Sequence, residues 1–531
     1  MSQNSTAIDQ KVNPQVLNHP VGLFVLFFTE MWERFSYYGM RGLLVLFLVS
    51  SATSENPGWE WSREDAGVLY AWYSSLVYLT PLIGGYIADK ITGSRVAVVI
   101  GALLMTLGHG SMALDTEFTF YIGLTLLVLG NGMFKPNISG MVGALYNDES
   151  KKDSAFTIFY MGINAGAFLG IMLCGYIGEY IGWSYGFGLA GIFMFFGLAQ
   201  FYFSKKLFGS IGQLDKSGKV EVASDASAEL KAEAKAEEEA MAKGSFTKVE
   251  KDRLVVIGFF ALFVIFFWWA FEQAGSSMTI FAKDYTQRVL TGGWAQTFVW
   301  VNFFLTVVPV AIVSWVLLML VQKTFKVIPL SNIFLTISFV LIWAVVLWKV
   351  LGDFNFEQEY EVPASWFGIL NSFFVISFAP VFSKIWESKY NPAGPVKFGI
   401  GLVLLGLGFG LLAFGARNIK EGMSSAEISM FFLIGAYFLH TMGELALSPV
   451  GLSYVNKLAP KRLMGFMFGM WFFASFIGNL FAGYTASYID SLNEMMGLSG
   501  FFLLFTAIPI ALGLIMFTLN GFLSKKMHGI R

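Results

Sequence analysis

A chain of 531 residues is long enough for three soluble domains, but 56% of its residues are hydrophobic, only 13% are charged and the mean hydropathy is +0.62. That composition excludes a soluble globular protein. A formal net charge of −1, with the 35 Lys and Arg scattered through short segments, excludes nucleic acid as a partner. The single cysteine, Cys174, cannot form an internal disulfide, and His19, His109, His440 and His528 lack metal-ligand spacing, so no metal or redox cofactor is expected.

In chain order, residues 1–18 are polar and lack the basic start, short apolar run and cleavage site of a secretory signal, which predicts a cytoplasmic tail. Apolar spans able to cross a hydrocarbon layer of roughly 30 Å follow one another along the rest of the chain. They lie near 20–49, 63–88, 94–114, 118–145, 154–181, 184–208, 252–283, 296–322, 327–350, 364–388, 395–416, 425–457, 462–489 and 497–523, fourteen in all. The expected fold class is an all-α polytopic membrane protein. The one long polar stretch, 209–250, contains AELKAEAKAEEEAMAK and reads as a cytoplasmic linker with few large apolar side chains. It divides six helices (19–208) from eight, the two-bundle plan that many secondary transporters use.

Placing both termini inside assigns 26 of the 35 cations to cytoplasmic segments, 6 to outer loops and 3 to membrane depth. The clusters Lys151-Lys152, Lys205-Lys206, Lys323 with Lys326, Lys461-Arg462 and Lys525-Lys526 then face inward, whereas 353–361 is an acidic outer segment.

Seven charges sit where hydrocarbon is expected. In the first helix Glu30, Glu33, Arg34, Tyr37, Tyr38 and Arg41 recur at i, i+3, i+4, i+7, i+8 and i+11 and share one face. Lys135, Glu272 and Glu444 also lie deep in apolar sequence. At roughly 2.5–3.5 kcal/mol each on insertion scales, lipid exposure of all seven would cost on the order of 20 kcal/mol. They must face one another or water. Three cations against four carboxylates leave one negative charge over, and a carboxylate without a cationic partner in a low-dielectric cavity favours holding a proton. Permanent ion pairs that merely tie helices together are the alternative. His109, His440 and Cys174 read as packing residues, and Gly162, Gly166 and Gly170 as a stripe permitting close helix contact.

The run EMWERFSYYG at 30–39 matches E-x-x-E-R-F-x-Y-Y-G and resembles the signature of the proton-dependent oligopeptide transporter family. Lys135-Pro136-Asn137, FYMGIN at 159–164 and Phe271-Glu272-Gln273 resemble further family segments in the same order. GYIADK at 85–90 with Gly93 and Arg95 is similar to the cytoplasmic loop motif of the major facilitator superfamily, carried by Gly85, Asp89, Gly93 and Arg95.

The resemblance implies two six-helix bundles rocking about a central site, proton-driven import of di- and tripeptides, and residence in a bacterial inner membrane. A free peptide always offers an ammonium and a carboxylate, so fixed poles of both signs suit many sequences. By similarity, Arg41 and Lys135 would hold the carboxylate, and Glu444 with Asn164 and Asn371 the amino end. Tyr37, Tyr38 and Tyr78 would serve the backbone, Trp268 and Trp471 would wall the side chains, and Ser448 would complete the peptide-binding set. Proton coupling and gating would fall to Glu30, Glu33, Arg34, Arg41, Lys135, Glu272 and Glu444, with Arg41 pairing with Glu272 and Lys135 with Glu444. Family members often carry two extra helices in the middle linker. Here the two extra spans (294–351) instead follow the Glu272 helix (251–293) and precede the last five (352–531), and are expected to pack outside the transport path against scaffold or lipid. Two rival readings are a facilitator for nitrate or an organic anion, which Glu444 disfavours, and an intramembrane enzyme, for which no nucleophile and base are recognisable.

Overall fold

The structure is a computed structural model that describes residues 15–146, 149–214, 246–354, 359–419, 423, 425–460 and 463–530. Most of the expected tail and linker and the Lys461-Arg462 cluster lie outside these residues. Six helices form the first half: α1 Val21–Val49, α2 Arg63–Ile87, α3 Ser94–Met112, α4 Glu117–Ala144, α5 Glu149–Tyr180 and α6 Trp183–Phe203. The second half holds α7 Lys248–Phe271, α8 Ser277–Asp284, α9 Gly292–Thr324, α10 Pro329–Phe354, α11 Ile369–Glu387, α12 Gly394–Ala416, α13 Phe431–Leu458, α14 Met464–Ser487 and α15 Ile489–Lys526. Among the described residues, 13 helical spans are long and apolar enough to cross a membrane. The 29-residue α1 falls outside that set because Glu30, Glu33, Arg34 and Arg41 crowd it, and it makes the fourteenth crossing.

Local sequence explains the helix ends. Ser62 caps α2 by accepting from the Asp65 amide, and Thr247 and Glu250 cap α7 reciprocally, the Glu250 carboxylate accepting from the Thr247 amide at 2.7 Å. The glycine stripe of α5 lies along α1, where a Cβ on Gly166 would stand 2.1 Å from the Met31 carbonyl. Two departures from the expected helices have backbone causes. The span near 252–283 is broken: α7 stops at Phe271, a tight turn covers Glu272–Gly275 and α8 resumes at Ser277. The last two spans meet in a short helical segment, and Gly497 with φ 72° bends α15 there.

The hairpin α9–α10, inserted in the second half, docks on the first. Phe339 packs edge-on against Phe28 and Trp32, Phe334 stacks on Phe203 at 5.5 Å, and the Ser331 hydroxyl donates to the Gln200 carbonyl at 2.8 Å. At its other end Lys349 and Asp353 are buried together. Asp353 accepts from Lys349 at 2.6 Å, Asn302 at 2.7 Å and Tyr360 at 2.9 Å, while the Lys349 ammonium lies over the Trp366 and Tyr176 rings. Lys349 is therefore a buried cation additional to Arg34, Arg41 and Lys135. An i,i+4 partner at the end of its own helix lets it stay dry. A two-stranded antiparallel sheet, β1 (Val289–Thr291) with β2 (Glu359–Glu361), joins the chain on either side of the hairpin.

Candidate functional site: a two-pole cavity between the halves

One end of the molecule is shut. Arg63 at the start of α2 binds Asp284 and Asp490 of the second half, each at 2.6 Å, and its guanidinium lies over the Tyr285 ring. A Cβ on Gly483 of α14 would stand 2.3 Å from Ala71 Cβ, so α2 and α14 touch nearly backbone to backbone. Lys283 donates to Ser50 at 3.1 Å across the same seam. None of these groups stood out in the sequence, where charges at helix ends look like loop charges.

Beneath this closure lies a cavity enclosing about 910 Å³ of non-atom space, its opening included. Both halves line it: Tyr38, Arg41 and Tyr78 from the first, Trp268, Glu272, Asn371 and Glu444 from the second. Arg41 spans the halves by pairing with Glu272, and its Nε donates to the Tyr70 hydroxyl at 2.7 Å. The broken helix makes this possible, because a side chain at Gly275 would collide with Tyr70. Glu444 accepts from Asn371 Nδ2 at 2.8 Å, and Asn371 also reaches Thr441. The cavity thus has one pole where a cation and a carboxylate are paired and a second where a carboxylate is held by an amide alone.

The other charges of α1 stay within the first half. Arg34 binds Glu30 at 2.9 Å and Glu33 at 2.5 Å, and Asn131 of α4 donates to Glu33 at 3.2 Å. The Lys135 ammonium lies 5.1 Å above the Tyr78 ring, within electrostatic range of Arg34, Glu33 and Glu30. The expected pairing of Lys135 with Glu444 is not found among the described residues. Lys135 instead stays with the α1 cluster and Glu444 with Asn371. Of the four carboxylates that the sequence places at membrane depth, Glu444 is the one outside any ion pair among the described residues.

Five predicted peptide-binding residues do not line the cavity: Tyr37, Lys135, Asn164, Ser448 and Trp471. Tyr37 is turned towards Arg34, whose guanidinium lies over its ring, and Asn164 donates to the Tyr160 carbonyl of its own helix. Trp471 fills the notch left by Gly451 and meets Phe398 edge-on. Ser448 is half-buried. His440 does line the cavity, with its ring on Phe409 at 4.4 Å and in the notch at Gly408. Away from the cavity, the loop motif is a staple. Gly93 takes φ 77°, the Arg95 amide donates to the Gly212 carbonyl at 2.9 Å, and its guanidinium donates to the Gly209 and Ile211 carbonyls. Gly85 faces the Pro136 ring, and Asp89 is exposed.

Comparison with known proteins places this geometry. The sequence model of the POT family matches residues 95–228 and 333–501. An uncharacterized transporter of Bacillus subtilis, YclF, is 32% identical over 543 aligned residues, covering 99% of both chains. A di-/tripeptide transporter of Lactococcus lactis subsp. cremoris is 30% identical over 98% of this chain and 99% of its own. A crystal structure of a peptide transporter POT in complex with sulfate superposes with a TM-score of 0.73 at 26% identity, covering 98% of this chain and 99% of that one.

Proposed function

Since the chain belongs to the POT family, a family of multi-pass membrane transporters, we propose that it is a proton-coupled symporter importing di- and tripeptides by alternating access. The observation that carries this reading is the cavity with opposite poles contributed by both halves, Arg41 with Glu272 at one and Glu444 with Asn371 at the other. A zwitterionic peptide satisfies both at once, its carboxylate drawing on Arg41 and its ammonium on Glu444. Trp268 and Tyr78, with ring centroids 6.5 Å apart, supply apolar wall for side chains. The Lactococcus relative's name supports the same cargo.

In this proposal the protein sits in a bacterial inner membrane with both termini cytoplasmic, as the distribution of Lys and Arg favours, so the shut end faces outward. Protonation of Glu272 removes the charge that holds Arg41 and loosens the outer closure. A peptide carboxylate then competes for Arg41, and the population shifts by differential affinity for the two states. A facilitator for simple anions is disfavoured because Glu444, in no ion pair among the described residues, would repel an anion that lacks an ammonium. Uptake of labelled dialanine into proteoliposomes, challenged with unlabelled dialanine, nitrate and small organic acids, tests the reading. Dialanine alone should compete. Competition by nitrate or the acids with none by dialanine would overturn it.

A further inference from the structure

One face of α5 grips the chain that leads into α11. Met172, Gly175, Tyr176, Glu179 and Tyr180 recur at intervals of three and four residues and so point the same way. The Met172 carbonyl accepts from Trp366 Nε1 at 3.1 Å, and the Tyr180 hydroxyl donates to the Glu361 carbonyl at 2.5 Å. Between them, the Glu179 carboxylate accepts from the Ala364 amide at 2.8 Å and the Ser365 amide at 3.0 Å. A Cβ on Gly175 would stand 2.3 Å from Ser365 Oγ, so the two segments are in close contact. α5 belongs to the first half and residues 361–366 to the second, so this grip spans the seam.

Ala364 and Ser365 open the helical stretch that runs through a tight turn, Ala364–Gly368, into α11. Amides in that first turn have no acceptor within their own helix. A carboxylate there gains two charge-assisted hydrogen bonds and the favourable field of the helix N-terminus. The same stretch walls the cavity: Ala364, Ser365, Gly368 and Asn371 all line it, and Asn371 holds Glu444 two helical turns beyond the capped amides. Arg288 and Lys283 are described cations within electrostatic range of Glu179, and Asn56 Nδ2 donates to its backbone carbonyl.

We propose that Glu179 is a positioning residue for the transport cycle, a latch that holds the entrance of α11, and through Asn371 the Glu444 pole, in the arrangement closed at the Arg63 end. It acts through α11 and does not touch the substrate. Opening that end requires both amides to let go of the carboxylate. The proposal rests on the alternating-access reading above.

The test is labelling of a Thr279→Cys protein by a membrane-impermeant maleimide applied to one face of oriented proteoliposomes at a time. Thr279 lines the cavity, and the native Cys174 is fully buried. Adding Glu179→Gln or Glu179→Ala should raise labelling from the closed face by about tenfold, the expected effect of losing charge-assisted bonds, and lower it from the opposite face. Gln retains one acceptor and nearly the same shape, so its effect should be the smaller. Unchanged closed-face labelling in both variants overturns the latch. A rise from both faces together marks general loosening of the fold and overturns it too. If labelling responds to dialanine but not to Glu179, the latch falls and the transport reading stands. If dialanine leaves labelling from either face unaltered, the transport reading itself fails, and the latch with it.

Discussion

Two buried cation–carboxylate pairs of similar chemistry sit in opposite structural situations. Lys349 and Asp353 lie on one helix of the inserted hairpin, and Asp353 is further saturated by Asn302 and Tyr360. Arg41 and Glu272 belong to different halves, border the cavity and, among the described residues, have only Tyr70 as a further hydrogen-bonded neighbour. A saturated pair within one rigid element cannot report on the relative position of the halves, whereas in the proposed cycle a pair across the seam is made or broken as they rock. Burial of charge alone therefore does not mark a functional site. What matters is whether the partners move apart.

Single substitutions distinguish the two pairs. Arg41→Ala leaves Glu272 buried without its cation, a loss of about 3–5 kcal/mol for the removed partner of a buried pair. Dialanine uptake should fall by more than about 100-fold at the rate of tenfold per 1.4 kcal/mol. Near-normal uptake would remove Arg41 from the mechanism. Lys349→Met carries a similar cost of about 3–5 kcal/mol, but in stability: the thermal midpoint in detergent should drop while the KM for dialanine holds. Combining it with Asp353→Leu should restore most of the midpoint, because replacing both partners of a buried pair by apolar groups is often neutral. A changed KM in the double variant would show that the hairpin network does take part in transport.

Asn371→Ala removes a hydrogen bond to a charged group worth about 1.5–3 kcal/mol. The KM should rise by about tenfold with the maximal rate little altered, and a fall in rate at constant KM would contradict the placing of Asn371 at the binding pole. The smallest change is Tyr70→Phe, which takes one acceptor from Arg41 and should lower uptake about threefold to fivefold, given about 1 kcal/mol for such a bond.

Much of this was legible in the sequence for a physical reason. The face of α1 announces itself because charged and tyrosine side chains repeat with the helical period inside an apolar background, and the structure does place Glu30, Glu33 and Arg34 together with Arg41 further along the same helix. Glu272 and Glu444 stand out because charges there interrupt long apolar runs, whereas Asn371 is pointed to only by the family resemblance. Trp471 packs away from the cavity, and the largely apolar sequence of α14 does not tell the cavity side from the packed side. Glu179, Arg63, Asp284 and Asp490 escaped notice because charges at helix ends are ordinary, and only the tertiary fold turns those ends into a seam. The docking of the α9–α10 hairpin on the first half was equally hidden, since Phe334 and Phe339 look the same whether they meet lipid or α6 and α1.

The central claim is that neutralising Glu272 drives the exchange between states. It is tested most directly by accumulation of labelled dialanine in proteoliposomes under an imposed acid-outside gradient, comparing the native protein with Glu272→Gln, and by dialanine counterflow without a gradient. The native protein should concentrate the peptide above equilibrium, and the Gln variant should retain counterflow yet only equilibrate. Accumulation by the Gln variant equal to that of the native protein would contradict the account.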